Sequence, residues 1–383
     1  MRLSDHLMLE CGGEADIGGI FTNTCAAIRQ AERFELSDDV GKAAYNLTKS
    51  KPTTLLSALP LSRAPYQKLW LEWRGGLTSG MINPENRRDP SFAPDPLKQG
   101  VLIETDAKGQ RGIMTFCWLH RENEAKRAMR SMSGDVYTPV NVAPLGTLFN
   151  WDENANVFDD AKVEYGRRYP GDREVASAAG ILELILLKKY TKGMSDADIK
   201  TWMEQSVFKG WQKFAGIESE RKALIELGHH AMPFVSPHAR GFFNWCADAA
   251  MQSDKMLMAF LHQVVAHSWE QDILGEAPFA ETIIAMMNSR NAIETRPVDL
   301  SALNKARAKK KRPQFLPYRT THLRLSQAQT RAFRAGLLSR EEAGRHSVRG
   351  HFKVRKTGVW WWSQFERGDP TKPLLRGEYK VEQ

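Results

Sequence analysis

Two histidines lie five residues apart in the basic sequence R-H-S-V-R-G-H-F-K-V-R, from Arg345 to Arg355. Histidine exchanges protons near neutral pH, because its unperturbed pKa is about 6.5. A metal-independent ribonuclease needs a base for the 2′-hydroxyl, an acid for the leaving oxygen and a cation for the phosphorane. Positions five apart face opposite sides of a regular strand, so His346 and His351 would converge only across a bulge, for example at Gly350. His351 alone remains a catalytic candidate.

Basic residues and a histidine occupy every second position of this stretch. In a strand these four side chains lie on one face, and the other face is apolar. This row consists of Arg349, His351, Lys353 and Arg355. The tripeptide K-T-G suits a reversal, so V-W-W-W-S-Q-F completes a hairpin with Trp361 on one side and Trp360 and Trp362 on the other. Cations about 7 Å apart match the phosphates of an extended nucleic acid, and an exposed tryptophan adds base stacking. The alternative is that the tryptophans are core residues and the cations are merely solvated.

A second basic run lies upstream, where six of eight residues are Lys or Arg and prolines at 313 and 317 then interrupt any helix. The six residues are Lys305, Arg307, Lys309, Lys310, Lys311 and Arg312. Such a run neutralises phosphates or binds an acidic protein surface. The alternative is a solvated helix end or linker.

The basic character of the chain is concentrated near its end. The 383 residues carry a formal net charge of +9. Residues 301–383 contain 20 Lys and Arg against six Asp and Glu, which leaves 34 against 39 in the first 300 residues. The net charges are therefore +14 and −5, an asymmetry that indicates a polyanionic partner. The alternative is a basic region docked on the acidic body of the same protein.

Other chemistries are not indicated. The pair His267 and Glu270 does not match the zinc motif H-E-x-x-H, and the nucleotide-binding and hydrolase motifs are absent, so we expect neither a metal nor a cofactor. The four cysteines are scattered without a C-x-x-C pair, which is typical of a reducing cytoplasm. The most apolar stretch, 180–187, is too short to span a bilayer, so we expect no membrane partner and a cytoplasmic location.

Residues 1–150 are predicted to form a β-rich domain. Alternation in K-L-W-L-E-W-R predicts a strand from Lys68, with Leu69, Leu71 and Trp73 on one face. The segment Gly100–Leu119 is typical of a hairpin with K-G near its turn. Short helices are predicted near 24–33 and 37–49, a loop at 83–96 and a helix at 121–132.

Two further regions follow. Residues 151–300 are predicted to form a helical domain with four or five helices between 172 and 291, one of them over 279–288 because Pro278 suits a first helical position. Residues 301–383 form the basic region, with a strand at 322–325 and the tryptophan-rich hairpin. In this arrangement the terminal β segments would pack together and the helices would be inserted between them.

Three stretches of the chain are distinctive together: A-L-P-L-S-R-A-P-Y-Q-K-L-W-L-E-W from Ala58, M-N-S-R-N-A-I-E-T-R-P-V-D-L-S-A-L-N-K-A-R-A-K-K-K-R-P-Q-F-L-P-Y from Met287, and H-S-V-R-G-H-F-K from His346, followed by W-W-W and R-G. In this order they resemble an uncharacterised family of proteins encoded by bacteriophages, prophages and related mobile elements. The resemblance implies a biological setting and no particular activity. Where a histidine is expected before Arg-Gly, this chain has Phe365-Glu366, so no third histidine is available for a catalytic scheme.

We therefore expect an α+β protein with a β-rich N-terminal part, a central helical bundle and a basic C-terminal part that ends in an antiparallel hairpin. The expected function is that of a phage or mobile-element accessory protein, which binds RNA or DNA in the bacterial cytoplasm without catalysis. One alternative is an interaction or structural protein that docks on a host or phage partner. The other is a metal-independent nuclease that uses His351 with neighbouring Arg and Lys.

Overall fold

A computed structural model describes the chain in segments. The described residues are 1–50, 59–75, 96–120, 138–152, 154–155, 157, 160, 230–242, 276–289, 292–324, 346–348, 351–355, 358–362 and 365–367. The loop expected at 83–96 falls outside them except for its last residue, and the helix expected at 121–132 falls outside them entirely. The helices expected between 172 and 275 also lie outside, apart from residues 230–242, in which Ala231–Val235 is a strand where helix was expected.

Nine strands of the described segments form one mixed sheet. They are β1 (Glu32–Leu36), β2 (Lys68–Arg74), β3 (Lys98–Thr105), β4 (Arg111–Leu119), β5 (Val140–Val142), β6 (Leu145–Asn150), β7 (Ala231–Val235), β8 (Ile293–Pro297) and β9 (Arg319–Leu323). The strand order is β7-β6-β4-β3-β2-β1-β9-β8, and β5 pairs with β4 beside β6. Strand β1 runs parallel to β2 and to β9, and the other pairs are antiparallel. The protein is therefore α+β, as expected.

Helices cover both faces of this sheet. Those of the described segments are α1 (Leu3–Glu10), α2 (Ile20–Gln30), α3 (Asp38–Ser50), α4 (Ala277–Asn288) and α5 (Ser301–Lys309), with 3₁₀ turns at Ile17–Gly19 and Leu59–Leu61. On one face, α1 and α2 pack with Trp70, Leu102 and Cys117. On the other face, α3 and α4 pack with Leu71 and Phe116. None of these helices is long and apolar enough to cross a membrane.

The strand predicted from Lys68 and the hairpin predicted at Gly100–Leu119 are confirmed as β2 and as the β3–β4 hairpin. Successive residues of β2 alternate between the two cores, because a strand has a side-chain period of two. The hairpin turns at Gly109, whose φ is +68° and whose carbonyl accepts a 2.6 Å hydrogen bond from the Ala64 amide. A Cβ at position 109 would lie 2.2 Å from the Ala64 oxygen, so the turn requires glycine.

The helix predicted at 24–33 is wrong in its last part. Helix α2 ends at Gln30, and Glu32–Leu36 is strand β1. Pairing with β2 on one side and β9 on the other outweighs the local preference for helix. The predicted helix at 279–288 is confirmed as α4, and the strand predicted near 322–325 is found slightly earlier, as β9.

A buried carboxylate holds α1 onto the sheet. Glu72 of β2, which is 2% exposed, accepts hydrogen bonds from the Leu3 amide at 3.1 Å and the Ser4 amide at 3.2 Å. The Ser4 hydroxyl donates at 3.1 Å and the Trp70 indole at 3.0 Å. Lys98 Nζ lies 3.5 Å away and balances the charge. A side chain from a distant strand thus satisfies amides at the helix N-terminus, which otherwise lack partners.

The same corner is tied to the segment that enters β9. Arg2 forms a 2.8 Å ion pair with Asp5, and its guanidinium lies 4.0 Å from the centre of the Tyr318 ring. On β1, Glu35 receives a 3.1 Å hydrogen bond from Lys98. The N-terminus, β1 and the start of β9 are therefore parts of one polar network around Glu72.

We expect Glu72→Gln to destabilise the protein by about 2–4 kcal/mol, because an amide NH₂ would face a donor in either orientation and the charge opposite Lys98 would be lost. The free energy of unfolding in urea measures this loss. Glu32→Gln, at an exposed position of β1, is the matched control and should change that free energy by less than about 0.5 kcal/mol. Equal effects of the two substitutions would contradict the role of Glu72.

Candidate nucleic-acid interface

The first basic run lies on α5, in the connection between the antiparallel strands β8 and β9. No residue of α5 is buried. Asn304 holds the helix to the returning chain, because its Nδ2 donates to the Phe315 carbonyl at 3.0 Å and its Oδ1 accepts from the Phe315 amide at 2.8 Å. At the base of the connection, the Val298 amide donates to the Tyr318 carbonyl at 3.1 Å. Helix α5 is therefore an exposed arm on a defined base.

Arg307 differs from the other cations of this run. Its guanidinium lies 3.9 Å from the centre of the Phe315 ring, and its Nε donates to the Pro313 carbonyl at 2.6 Å. These contacts fold the returning chain against α5. Arg307 therefore has a positioning role in the arm, and its role as a phosphate ligand stays a prediction from the sequence.

Five exposed cations remain, which we call the arm cluster: Lys305, Lys309, Lys310, Lys311 and Arg312. Within the described part of the chain, none of the five forms an ion pair with a carboxylate. Four of them are consecutive at the C-terminal end of α5, where the negative end of the helix dipole favours positive charge. The dipole offsets only part of their mutual repulsion, so the cluster favours an external anion.

The chain leaves α5 through a left-handed residue that is not glycine. Lys311 has φ +52°, and its amide donates to the Ala308 carbonyl at 3.0 Å. The Arg312 amide donates to the Arg307 carbonyl at 3.0 Å. These two bonds form a Schellman motif, in which glycine usually takes the left-handed position. A lysine there costs about 1 kcal/mol of backbone strain and places one more charge in the arm cluster.

The second basic stretch forms two short ladders. Strand β10 (His346–Val348) pairs with β13 (Phe365–Arg367), and β11 (His351–Arg355) pairs with β12 (Gly358–Trp362), both antiparallel. Two residues separate the ladders on each side, so both follow one register. A bulge would add a residue to one side only. Gly350, where a bulge was considered, and Arg349 of the predicted row both lie outside the described residues.

The register also shows to which face of the ladder each tryptophan position belongs. His351 is paired with Trp362 and Lys353 with Trp360, whereas Trp361 is paired with Phe352. Directly opposed residues of an antiparallel pair belong to the same face. By register, two of the three tryptophan positions share the face of the basic positions.

Two buried carboxyl groups at α4 could not be anticipated from sequence. Glu276, beside the start of α4, accepts from Gln99 Nε2 at 2.5 Å and Trp118 Nε1 at 2.9 Å. Glu281 of α4 accepts from the Ser62 hydroxyl at 3.0 Å. Burial raises the pKa of each carboxyl to about 8, although these hydrogen bonds act in the opposite direction. Both groups therefore carry a proton at neutral pH.

The histidines of the central region are partnered where the structure describes them. His238 Nε2 lies 2.6 Å from Glu104, which Lys68 approaches to 3.4 Å. Burial acts to raise the pKa of Glu104, but the hydrogen bond and charge of His238, together with Lys68, outweigh it and lower the pKa. His230 Nδ1 lies 2.9 Å from the Asn150 carbonyl. Across the described segments, no group of three His, Cys, Asp or Glu side chains is placed to hold a metal.

No family model matches the chain, and neither the curated proteins nor the solved structures include one that is detectably similar to it. The relation to phage and mobile-element proteins therefore remains an expectation from the sequence motifs.

We expect Glu276→Gln and Glu281→Gln to reduce the loss of stability at alkaline pH. The stabilisation that each bound proton provides is fully present below about pH 4.5 and is lost as the pH rises through about 8, at roughly 1.4 kcal/mol per pH unit and carboxyl. Urea unfolding at pH 5 should give similar free energies for both variants and the wild type. At pH 9 both variants should be the more stable proteins, and a pH dependence identical to that of the wild type would contradict this account.

Comparing glycine substitutions at Lys311 and at the adjacent Lys310 tests whether the backbone of Lys311 is strained. Lys311→Gly should relieve about 1 kcal/mol and slow amide hydrogen exchange in α5 about fivefold. Lys310→Gly removes the same charge at a residue with φ −91°, where glycine only adds backbone entropy to the unfolded arm, so exchange should accelerate. Faster exchange in both variants would show that the left-handed lysine is not strained.

Proposed function

We propose that this protein binds nucleic acid through its basic C-terminal region, as an accessory protein of a phage or mobile element in the bacterial cytoplasm. The arm cluster provides the main phosphate contacts, and the segment 346–367 folds as a hairpin that provides a second basic surface. The expected central helical bundle separates the N-terminal strands from this region in sequence. Binding requires no cofactor and no reaction. The mobile-element setting is supported by the sequence motifs, and the cytoplasmic location by the scattered thiols.

The observation that carries this proposal is that five exposed cations lie together in the arm cluster and form no ion pair with any carboxylate of the described segments. Elsewhere in the described segments, carboxylates neutralise the buried or half-buried cations, as Glu72 and Glu35 do for Lys98 and Asp5 does for Arg2, and exposed lysines occur singly. The arm cluster instead combines five exposed cations with a left-handed lysine that glycine would replace without strain. A basic region docked on the protein's own acidic body would show ion pairs, and the arm cluster shows none to described carboxylates.

Phosphate neutralisation has a quantitative signature. Each phosphate contact contributes about 0.9 to the slope of log affinity against log salt on duplex DNA. If all five cations of the arm cluster contact phosphates, affinity should fall about 500-fold between 50 and 200 mM salt. Binding of this kind does not depend on base sequence, since phosphates carry no sequence information.

We expect the double variant Lys309→Gln/Lys310→Gln to weaken binding of a labelled 20-base-pair DNA and to reduce the salt slope by about 1.8. Fluorescence anisotropy over 50–200 mM salt measures both quantities. The matched control is Lys42→Gln/Lys108→Gln, which removes two charges at single exposed lysines of α3 and of the β3–β4 turn. This control should keep the wild-type slope.

Two results would contradict the proposal. Absence of nucleic-acid binding at 50 mM salt would leave the arm cluster as a docking surface for an acidic protein. Equal losses in the two double variants would show that net charge, and not the arm cluster, determines the affinity. Cleavage of the labelled strand that His351→Ala abolishes would instead identify a nuclease.

A further inference from the structure

The two faces of the β11–β12 ladder differ sharply in composition. One face, which we call the mixed face, contains the positions of His351, Lys353, Arg355, Trp360 and Trp362 by register. The opposite, apolar face contains the cross-strand pairs Phe352 with Trp361 and Val354 with Val359, and the β10–β13 ladder extends it with Val348 opposite Phe365. Because a two-stranded hairpin is marginal alone, one face must pack against the protein, and the apolar face is suited to that role.

The mixed face is poorly suited to burial. Its positions in the β11–β12 ladder include no carboxylate, and charged side chains are costly to remove from water. An aromatic surface among cations is the combination that proteins use to hold single-stranded nucleic acid.

The spacing of Trp360 and Trp362 indicates which form of nucleic acid the mixed face can bind. Positions 360 and 362 lie about 7 Å apart along a strand. Bases in a duplex are stacked about 3.4 Å apart, and their faces are already covered by their neighbours. Two indole rings about 7 Å apart can therefore stack only on bases that have been separated, as in an extended single strand. The cations of β11 lie in the adjacent strand, where phosphates of the same nucleic acid can be reached.

We propose that the mixed face binds single-stranded nucleic acid, with Trp360 and Trp362 stacking on bases and Lys353 and Arg355 contacting phosphates. This inference rests on the proposed function and specifies its ligand. The arm cluster contributes affinity for any polyanion, and the mixed face adds a preference for unpaired strands. Trp361 takes no part in stacking, because its register position belongs to the apolar face.

The test compares dT20, U20 and a 20-base-pair duplex by fluorescence anisotropy with the full chain. Either single strand should bind more tightly than the duplex. Trp360→Leu and Trp362→Leu should each weaken single-strand binding about 5- to 150-fold, the range expected for one stacked base, and leave duplex affinity and the salt slope unchanged. Phe at either position should restore most of the lost affinity, because it retains an aromatic plane.

Trp361→Leu is the matched control, since it changes an adjacent tryptophan on the apolar face. It should preserve the preference for single strands over duplex. The inference is overturned if the duplex and the single strands bind equally tightly. It is also overturned if Trp361→Leu removes the preference for single strands as Trp360→Leu does, and Trp360→Phe does not restore that preference. In both cases salt-dependent binding would persist and the proposed function would stand, whereas absence of binding to all three ligands would remove the proposed function itself.

Discussion

The carboxylate of Glu72 connects the parts of the structure that would otherwise be independent. It lies on β2, near the middle of the sheet, and accepts the amides that begin α1. Its countercharge, Lys98, also binds Glu35 of β1. Because β1 pairs with β9, the same network holds the strand into which the basic arm leads. A buried carboxylate of this kind is tolerated only when its hydrogen bonds and countercharge are all in place, so the network is formed as a unit.

The distribution of charge follows from this arrangement. Where the body of the protein is described, the buried or half-buried cations Arg2 and Lys98 are paired with carboxylates, whereas exposed cations such as Lys42 and Lys108 stand singly. The arm cluster lies beyond that network, on an exposed helix that Asn304 and Arg307 hold to the returning chain. Charge is thus balanced inside the body and concentrated on the arm. That contrast, more than the net charge of +9, favours a polyanionic partner.

Local patterns predicted the elements that depend on local rules. Alternation identified β2, the K-G turn identified the β3–β4 hairpin, and Pro278 marked the start of α4. Strand β1 was not predicted because it is only five residues long and is stabilised by distant partners. Its Phe34, for example, pairs with Leu71 and Arg319, which are 37 and 285 residues away in the sequence. Such pairings are properties of the whole fold, and no window of sequence contains them.

The candidate site divides in the same way. Composition and spacing identified the basic residues, because charge clusters are visible in sequence. The positioning role of Arg307 depends on Phe315 and Pro313, which approach it only when the arm folds. The separation of Trp361 from its two neighbours follows from strand alternation, but the face that carries the cations is known only from the cross-strand register. The raised pKa values of Glu276 and Glu281 depend on burial, which single residues do not reveal.

The most direct test of the account is to map where nucleic acid contacts the chain. Photo-crosslinking of a thiothymidine-containing dT20 to the full protein, followed by mass spectrometry, identifies the segments that the bound strand touches. We expect crosslinks within 305–318 and 351–362. Crosslinks confined to the exposed surface of the sheet and its N-terminal helices, at salt concentrations where binding is measurable, would contradict it.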